Sequence, residues 1–179
     1  MRIKGIIDED FVNYKKPSMF INTSSCNFKC DKECGKPVCQ NSELAKAPNI
    51  EISNEEIIQR YITNPITEAI VFGGLEPFDS FDELCYFLGD FENYYKGGHI
   101  HIKEKRPDIV IYTGYYPEEI KAKLHWIKKN KTDKQINIII KFGRFIPNRP
   151  YKYDELLGVE LASDNQYAVK LENLKLEEN

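Results

Sequence analysis

The chain has 179 residues, 41% of them hydrophobic and 30% charged, with a formal net charge of -3. This composition excludes a disordered chain, the length fits one domain spanning 1–179, and the lack of a basic excess excludes nucleic acid as a direct ligand. No apolar run is long enough to span a bilayer, and the opening Met1-Arg2-Ile3-Lys4-Gly5 lacks the apolar core of a signal peptide. The expectation is therefore a cytoplasmic protein without a membrane partner.

Taken in chain order, Ser18-Met19-Phe20-Ile21-Asn22 is the first predicted strand, and it leads straight into a cysteine-rich loop. Ser53-Asn54-Glu55-Glu56 opens a helix with a capping-box pattern that runs to about Thr63. Glu68 to Phe72 is an apolar run ended by Gly73-Gly74, which reads as a buried strand. Ser80 to Tyr95 has helical spacing. Asp108 to Thr113 is a second buried strand closed by Gly114, and Pro117 starts a helix reaching about Lys129. Gln135 to Lys141 is a third apolar run, closed by Gly143.

Strand, loop and helix alternate, which predicts an α/β fold with a mainly parallel sheet. In such folds ligands sit at the C-terminal ends of the strands. The unusual residues of this chain fall there: the cysteines, Gly73-Gly74, Thr113-Gly114-Tyr115 and Gly143-Arg144. These strand ends are expected to converge on one site.

Four of the five cysteines, Cys26, Cys30, Cys34 and Cys39, lie within fourteen residues. A secreted disulfide scaffold spreads its cysteines, whereas a dense group of soft thiolates points to a metal. Spacing alone leaves three options open. Four ligands would complete a structural zinc site or a saturated iron–sulfur centre for electron transfer, and three would leave one iron open for a substrate. Cys85 stands apart and reads as a buried core thiol. His99 and His101 lie two apart with no third ligand and read as surface residues, and the lysines of 128–131 read as a solvated helix end.

Cys26-Asn27-Phe28-Lys29-Cys30 resembles the opening of the radical S-adenosylmethionine (SAM) signature, C-x3-C-x2-C, and Cys39-Gln40-Asn41 resembles the segment at and just after its third cysteine. The nearest likeness is to the activating enzymes of anaerobic ribonucleotide reductase. The departure is that the two-residue gap has become eight residues, with Cys34 inside it. By the downstream match the resemblance implies Cys26, Cys30 and Cys39 as ligands of a [4Fe-4S] cluster, with Cys34 a spare thiol or a rival to Cys39. It implies an incomplete (β/α) barrel in which SAM chelates the open iron. One electron then splits SAM to methionine and a 5′-deoxyadenosyl radical.

Further stretches carry the same resemblance. Gly73-Gly74-Leu75-Glu76-Pro77 is similar to the family's Gly-Gly-Glu-Pro segment, with Leu75 inserted, which implies Gly73, Gly74 and Glu76 at the amino group of SAM. Tyr112-Thr113-Gly114-Tyr115 resembles a Tyr-Thr-Gly-Tyr stretch, which implies SAM contacts from Tyr112 or Thr113. Asn27 and Phe28, inside the signature, join this cofactor-binding set. Lys141-Phe142-Gly143-Arg144-Phe145 is similar to Val-Asp-Gly-Arg-Phe with the Asp replaced by Phe142, and Ser163-Asp164-Asn165-Gln166 resembles a closing Ser-Ser-Asn-Gln. The likeness runs from about Asp10 to Leu171. It implies a glycyl-radical enzyme as protein substrate and a flavodoxin or ferredoxin as electron donor.

Overall fold

The computed structural model describes residues 1–96, 107–131 and 136–176. The elements in chain order are β1 (Arg2–Asp10), β2 (Ser18–Thr23), α1 (Lys29–Cys34), α2 (Ser42–Lys46), β3 (Ile50–Glu51), α3 (Asn54–Thr63) and β4 (Ala69–Gly73). After these come α4 (Phe81–Lys96), β5 (Asp108–Tyr112), α5 (Lys121–Asn130), β6 (Asn137–Phe142), β7 (Lys152–Asp154), β8 (Val159–Leu161) and β9 (Tyr167–Lys170). His99 and His101 lie outside the described residues.

The sheet has the order β3-β1-β2-β4-β5-β6-β9. Its centre, β2-β4-β5-β6, is parallel, as the alternation of elements predicts. Its flanks are not. β1 pairs antiparallel with both β2 and β3, and β9 pairs antiparallel with β6. The sheet is therefore mixed, with edges at β3 and β9, and among the described residues it does not close into a barrel. β1 is not among the predicted strands because Arg-Ile-Lys-Gly-Ile-Ile-Asp-Glu-Asp is half-exposed and polar, without the continuous apolar run of a central strand.

All five residues of β4 are buried, which requires cover on both faces. Ile70 and Phe72 face a large core against the helices. There α4 contributes Leu84, Phe87, Leu88 and Phe91, the i, i+3, i+4, i+7 spacing of one helix stripe. Ala69 and Val71 face the opposite way, into a smaller cluster with Val110, Ile139, Tyr14, Leu157 and Leu161. Helices cover one face; the other is covered by the segment through Tyr14 and by the β7–β8 region. Ser53 caps α3 as expected, its hydroxyl accepting the Glu56 N–H at 3.0 Å.

Two minor expectations change. Cys85 sits on α4 and is half-buried, not a core thiol. Two of the lysines at the end of α5 are engaged, Lys128 donating to the Leu174 carbonyl at 2.6 Å and Lys131 reaching Glu92 at 3.4 Å, while Lys129 is exposed as expected.

Candidate metal and cofactor site

A cavity of about 500 Å³ opens at the C-terminal ends of the parallel strands. Cys26, Cys30 and Cys39 line it, together with Asn27, Gly74, Glu76, Tyr112, Thr113, Lys141 and Arg144. The expected convergence of strand ends is thus realised: residues following β2, β4, β5 and β6 meet there. Cys34, Phe28 and Gly73 are not among the lining residues.

The cysteine loop is fixed from several directions. Ser25 and Ser80 hydroxyls pair at 2.8 Å, and the Glu76 N–H donates to the Ser25 carbonyl at 2.9 Å. Asn27 donates its backbone N–H to Asp79 at 2.8 Å and its side-chain amide to the Tyr115 hydroxyl at 2.5 Å. Phe28 has φ 55, a left-handed conformation rare for a bulky residue, and its N–H points at the Cys26 sulfur, 3.3 Å away. Such strain is held only where neighbours over-determine it.

Gly74 has φ 73, and a Cβ there would lie 2.4 Å from the Asn22 side-chain oxygen. Only glycine fits this turn, which lets the backbone border the cavity. Glu76 is buried and ties two strand ends together. Its Oε1 accepts from the Thr113 hydroxyl at 2.7 Å and the Phe78 N–H at 3.1 Å, and its Oε2 accepts from the Gly114 N–H at 2.8 Å. Burial nevertheless pushes its carboxyl up to about 7, although the bonds from Thr113, Gly114 and Phe78 oppose the rise. The Thr113 hydroxyl also accepts the Tyr115 N–H at 3.0 Å, and the Tyr112 hydroxyl donates to the Asn13 carbonyl at 2.6 Å.

Burial pushes the Cys26 thiol up to about 12 and that of Cys30 up to about 11, and the proximity of Cys39 raises both. Metal-free, these thiols hold their protons; a bound metal would displace them, since the thiolate is the ligand. Three soft donors on a cavity of this size fit an iron–sulfur cluster.

Two cations were not among the predicted site residues. Lys141 is 6% exposed on β6, donates to the Gly143 carbonyl at 2.9 Å, and lies 5.7 Å from the Tyr112 ring centre. Among the described residues no carboxylate comes within ion-pair distance of it. Burial lowers its amine to about 7, against the raising effect of Glu76. Arg144, equally buried, pairs with Glu119 at 2.6 Å and Glu33 at 3.3 Å, stacks on Tyr116, and leaves Nε without a partner. A lysine near the end of an otherwise apolar strand was the available signal for the first. The second stands at a strand end expected to reach the site, but no local signal gives its pairing with Glu119 and Glu33.

No curated protein and no solved structure matches the chain. A family model described as a 4Fe-4S single cluster domain, within the radical SAM clan, matches residues 17–166. That match includes all four strand ends that build the cavity, and on it the chain belongs to the 4Fe-4S single cluster domain family.

Proposed function

We propose that this protein is a radical SAM enzyme whose [4Fe-4S] cluster is held by Cys26, Cys30 and Cys39. Its reaction is the reductive cleavage of SAM, used to activate a glycyl-radical enzyme such as an anaerobic ribonucleotide reductase. The observation that carries the reading is the cavity itself, which gathers three thiols and the polar strand ends around a volume suited to a small cofactor. On this reading the open sheet is an incomplete radical-SAM barrel, and the free thiols belong to a reducing cytoplasm.

When bound, the cluster supplies the electron that splits the sulfonium; the chain binds, orients and shields. Gly74 lets the backbone approach the ligand, and Glu76 stands at its amino group while holding Thr113 in place. Tyr112 and Asn27 line the same space, and Lys141 offers a buried ammonium to the carboxylate of SAM. Val12 borders the cavity and is 73% exposed, and its neighbour Phe11 is 63% exposed. Apolar residues left open at a site rim suit a protein substrate. A flavodoxin or ferredoxin would deliver the electron.

The test is anaerobic reconstitution, then SAM with a reductant, reading iron, sulfide and 5′-deoxyadenosine. Iron and sulfide with 5′-deoxyadenosine are expected. A cluster without SAM cleavage would favour an electron-transfer module on all four clustered cysteines, and zinc without iron would favour a structural metal site.

A further inference from the structure

The enlarged gap between Cys30 and Cys39 poses a problem that the fold answers in its own way. Cys30 and Cys34 lie on α1, four residues apart, and side chains at that spacing are neighbours on one helix face. Helix geometry alone therefore offers Cys34 as the partner of Cys30. The thiol that lines the cavity with Cys26 and Cys30 is instead Cys39, nine positions further on than Cys30.

One side chain returns the loop. Asp31, directly after Cys30, accepts at a single oxygen, Oδ1, from the backbone N–H of Val38 at 2.8 Å and of Cys39 at 2.8 Å. The Cys30 sulfur lies 3.9 Å from that same oxygen. α1 ends at Gly35 in a left-handed conformation, which allows the reversal, and Pro37 stiffens the step before Val38. A carboxylate accepting two convergent N–H groups makes a charge-assisted clamp. The backbone of Cys39 is thereby tied to the residue that follows Cys30.

We propose that Asp31 is the positioning residue that makes Cys39, and not Cys34, the third cluster ligand. It brings Cys39, nine positions beyond Cys30, back to the cavity that Cys26 and Cys30 line. The proposal rests on the cluster reading above, but its geometric half stands on the metal-free protein.

Two measurements test it. The reduced, metal-free protein is treated with diamide, which takes two electrons and two protons from a thiol pair, and the disulfides are mapped by peptide mass. The wild type is expected to form Cys30–Cys39 in preference to Cys30–Cys34. Asp31→Ala should lower that ratio about fivefold or more, the loss of two charge-assisted bonds at a half-exposed site, and Asp31→Asn, which keeps one acceptor oxygen, should restore most of it. Iron per chain after reconstitution should follow the same order. An unchanged disulfide ratio in Asp31→Ala, or a wild type that favours Cys30–Cys34, overturns the proposal. A wild type that takes up no iron instead overturns the cluster reading, and the disulfide ratio still judges the clamp.

Discussion

Arg144 Nη2 donates to both carboxylate oxygens of Glu119, at 2.7 and 2.6 Å, and this pair clamps the cysteine loop to the sheet. Arg144 reaches on to Glu33 in α1, and Glu119 pairs with Lys29 at the start of the same helix. The carboxyl of Glu119 is accordingly held below its ordinary value: burial opposes this, but the bonds from Lys29, the Tyr116 N–H and Arg144 outweigh it. Arg144→Met should destabilise the fold by about 1 kcal/mol, because the partly exposed Glu119 and Glu33 lose this partner while Glu119 keeps Lys29. It should also lower the iron taken up per chain. Arg144→Lys should rescue little, since an ammonium can neither reach Glu119 and Glu33 through separate nitrogens nor stack on Tyr116. Urea denaturation and iron analysis of both variants check this.

The pH dependence of stability should carry the signature of Glu76. Its folded pKa of about 7 is raised from 4.5, so the stability it contributes is full below pH 4.5 and is lost as pH rises through about 7. The metal-free wild type should therefore weaken between about pH 5 and 7, by a few kcal/mol at most, given about 1.4 kcal/mol per pKa unit. Glu76→Gln removes this titration and should flatten the profile in that window. Thermal melts of the two proteins at half-unit pH steps decide it; parallel profiles would contradict the assignment.

Lys141→Met should move stability and binding in opposite directions. An unpaired buried ammonium weakens the fold, so replacing it with an apolar chain of similar length should stabilise the metal-free protein by about 1–3 kcal/mol. The same change should weaken SAM binding to the reconstituted protein about tenfold or more, the size of a lost charged hydrogen bond. Titration calorimetry at pH 6.5, below the Lys141 pKa of about 7, reads the binding half. Loss of both stability and affinity would mean that Lys141 is a packing residue.

At the opposite end of the sheet, Asp108 organises a polar cluster far from the cavity. It accepts from Tyr14 at 2.9 Å, Lys16 at 2.5 Å and Asn137 at 2.8 Å. Burial works to raise its carboxyl, but these bonds hold it below the ordinary value. Asp108→Ala should cost about 2–4 kcal/mol of stability, by stranding buried donors, and leave iron uptake per folded chain unchanged. Denaturation midpoints and iron content measured together separate this structural role from one in the site.

The sequence by itself determined the central parallel strands, because a strand buried on both faces must be a short continuous apolar run, as Ala69 to Phe72 is. It also determined the order of the strand ends and their glycine stops, and so the place where a site could form. Tertiary structure decided the rest. The edge strand β9 and the separate β7–β8 pair have no such run, and their pairing depends on partners that local pattern does not name. Lys141 lies two positions beyond Ile139 on the same face of the strand, in register with Tyr112, and only the cavity beyond makes its burial consequential. Arg144 meets Glu119 and Glu33 across long stretches of chain, invisible to any local motif. The cysteine loop shows the division most directly: composition supplied four thiols, and three of them came to line one cavity because side chains far apart in sequence, and one carboxylate next to Cys30, hold the backbone there.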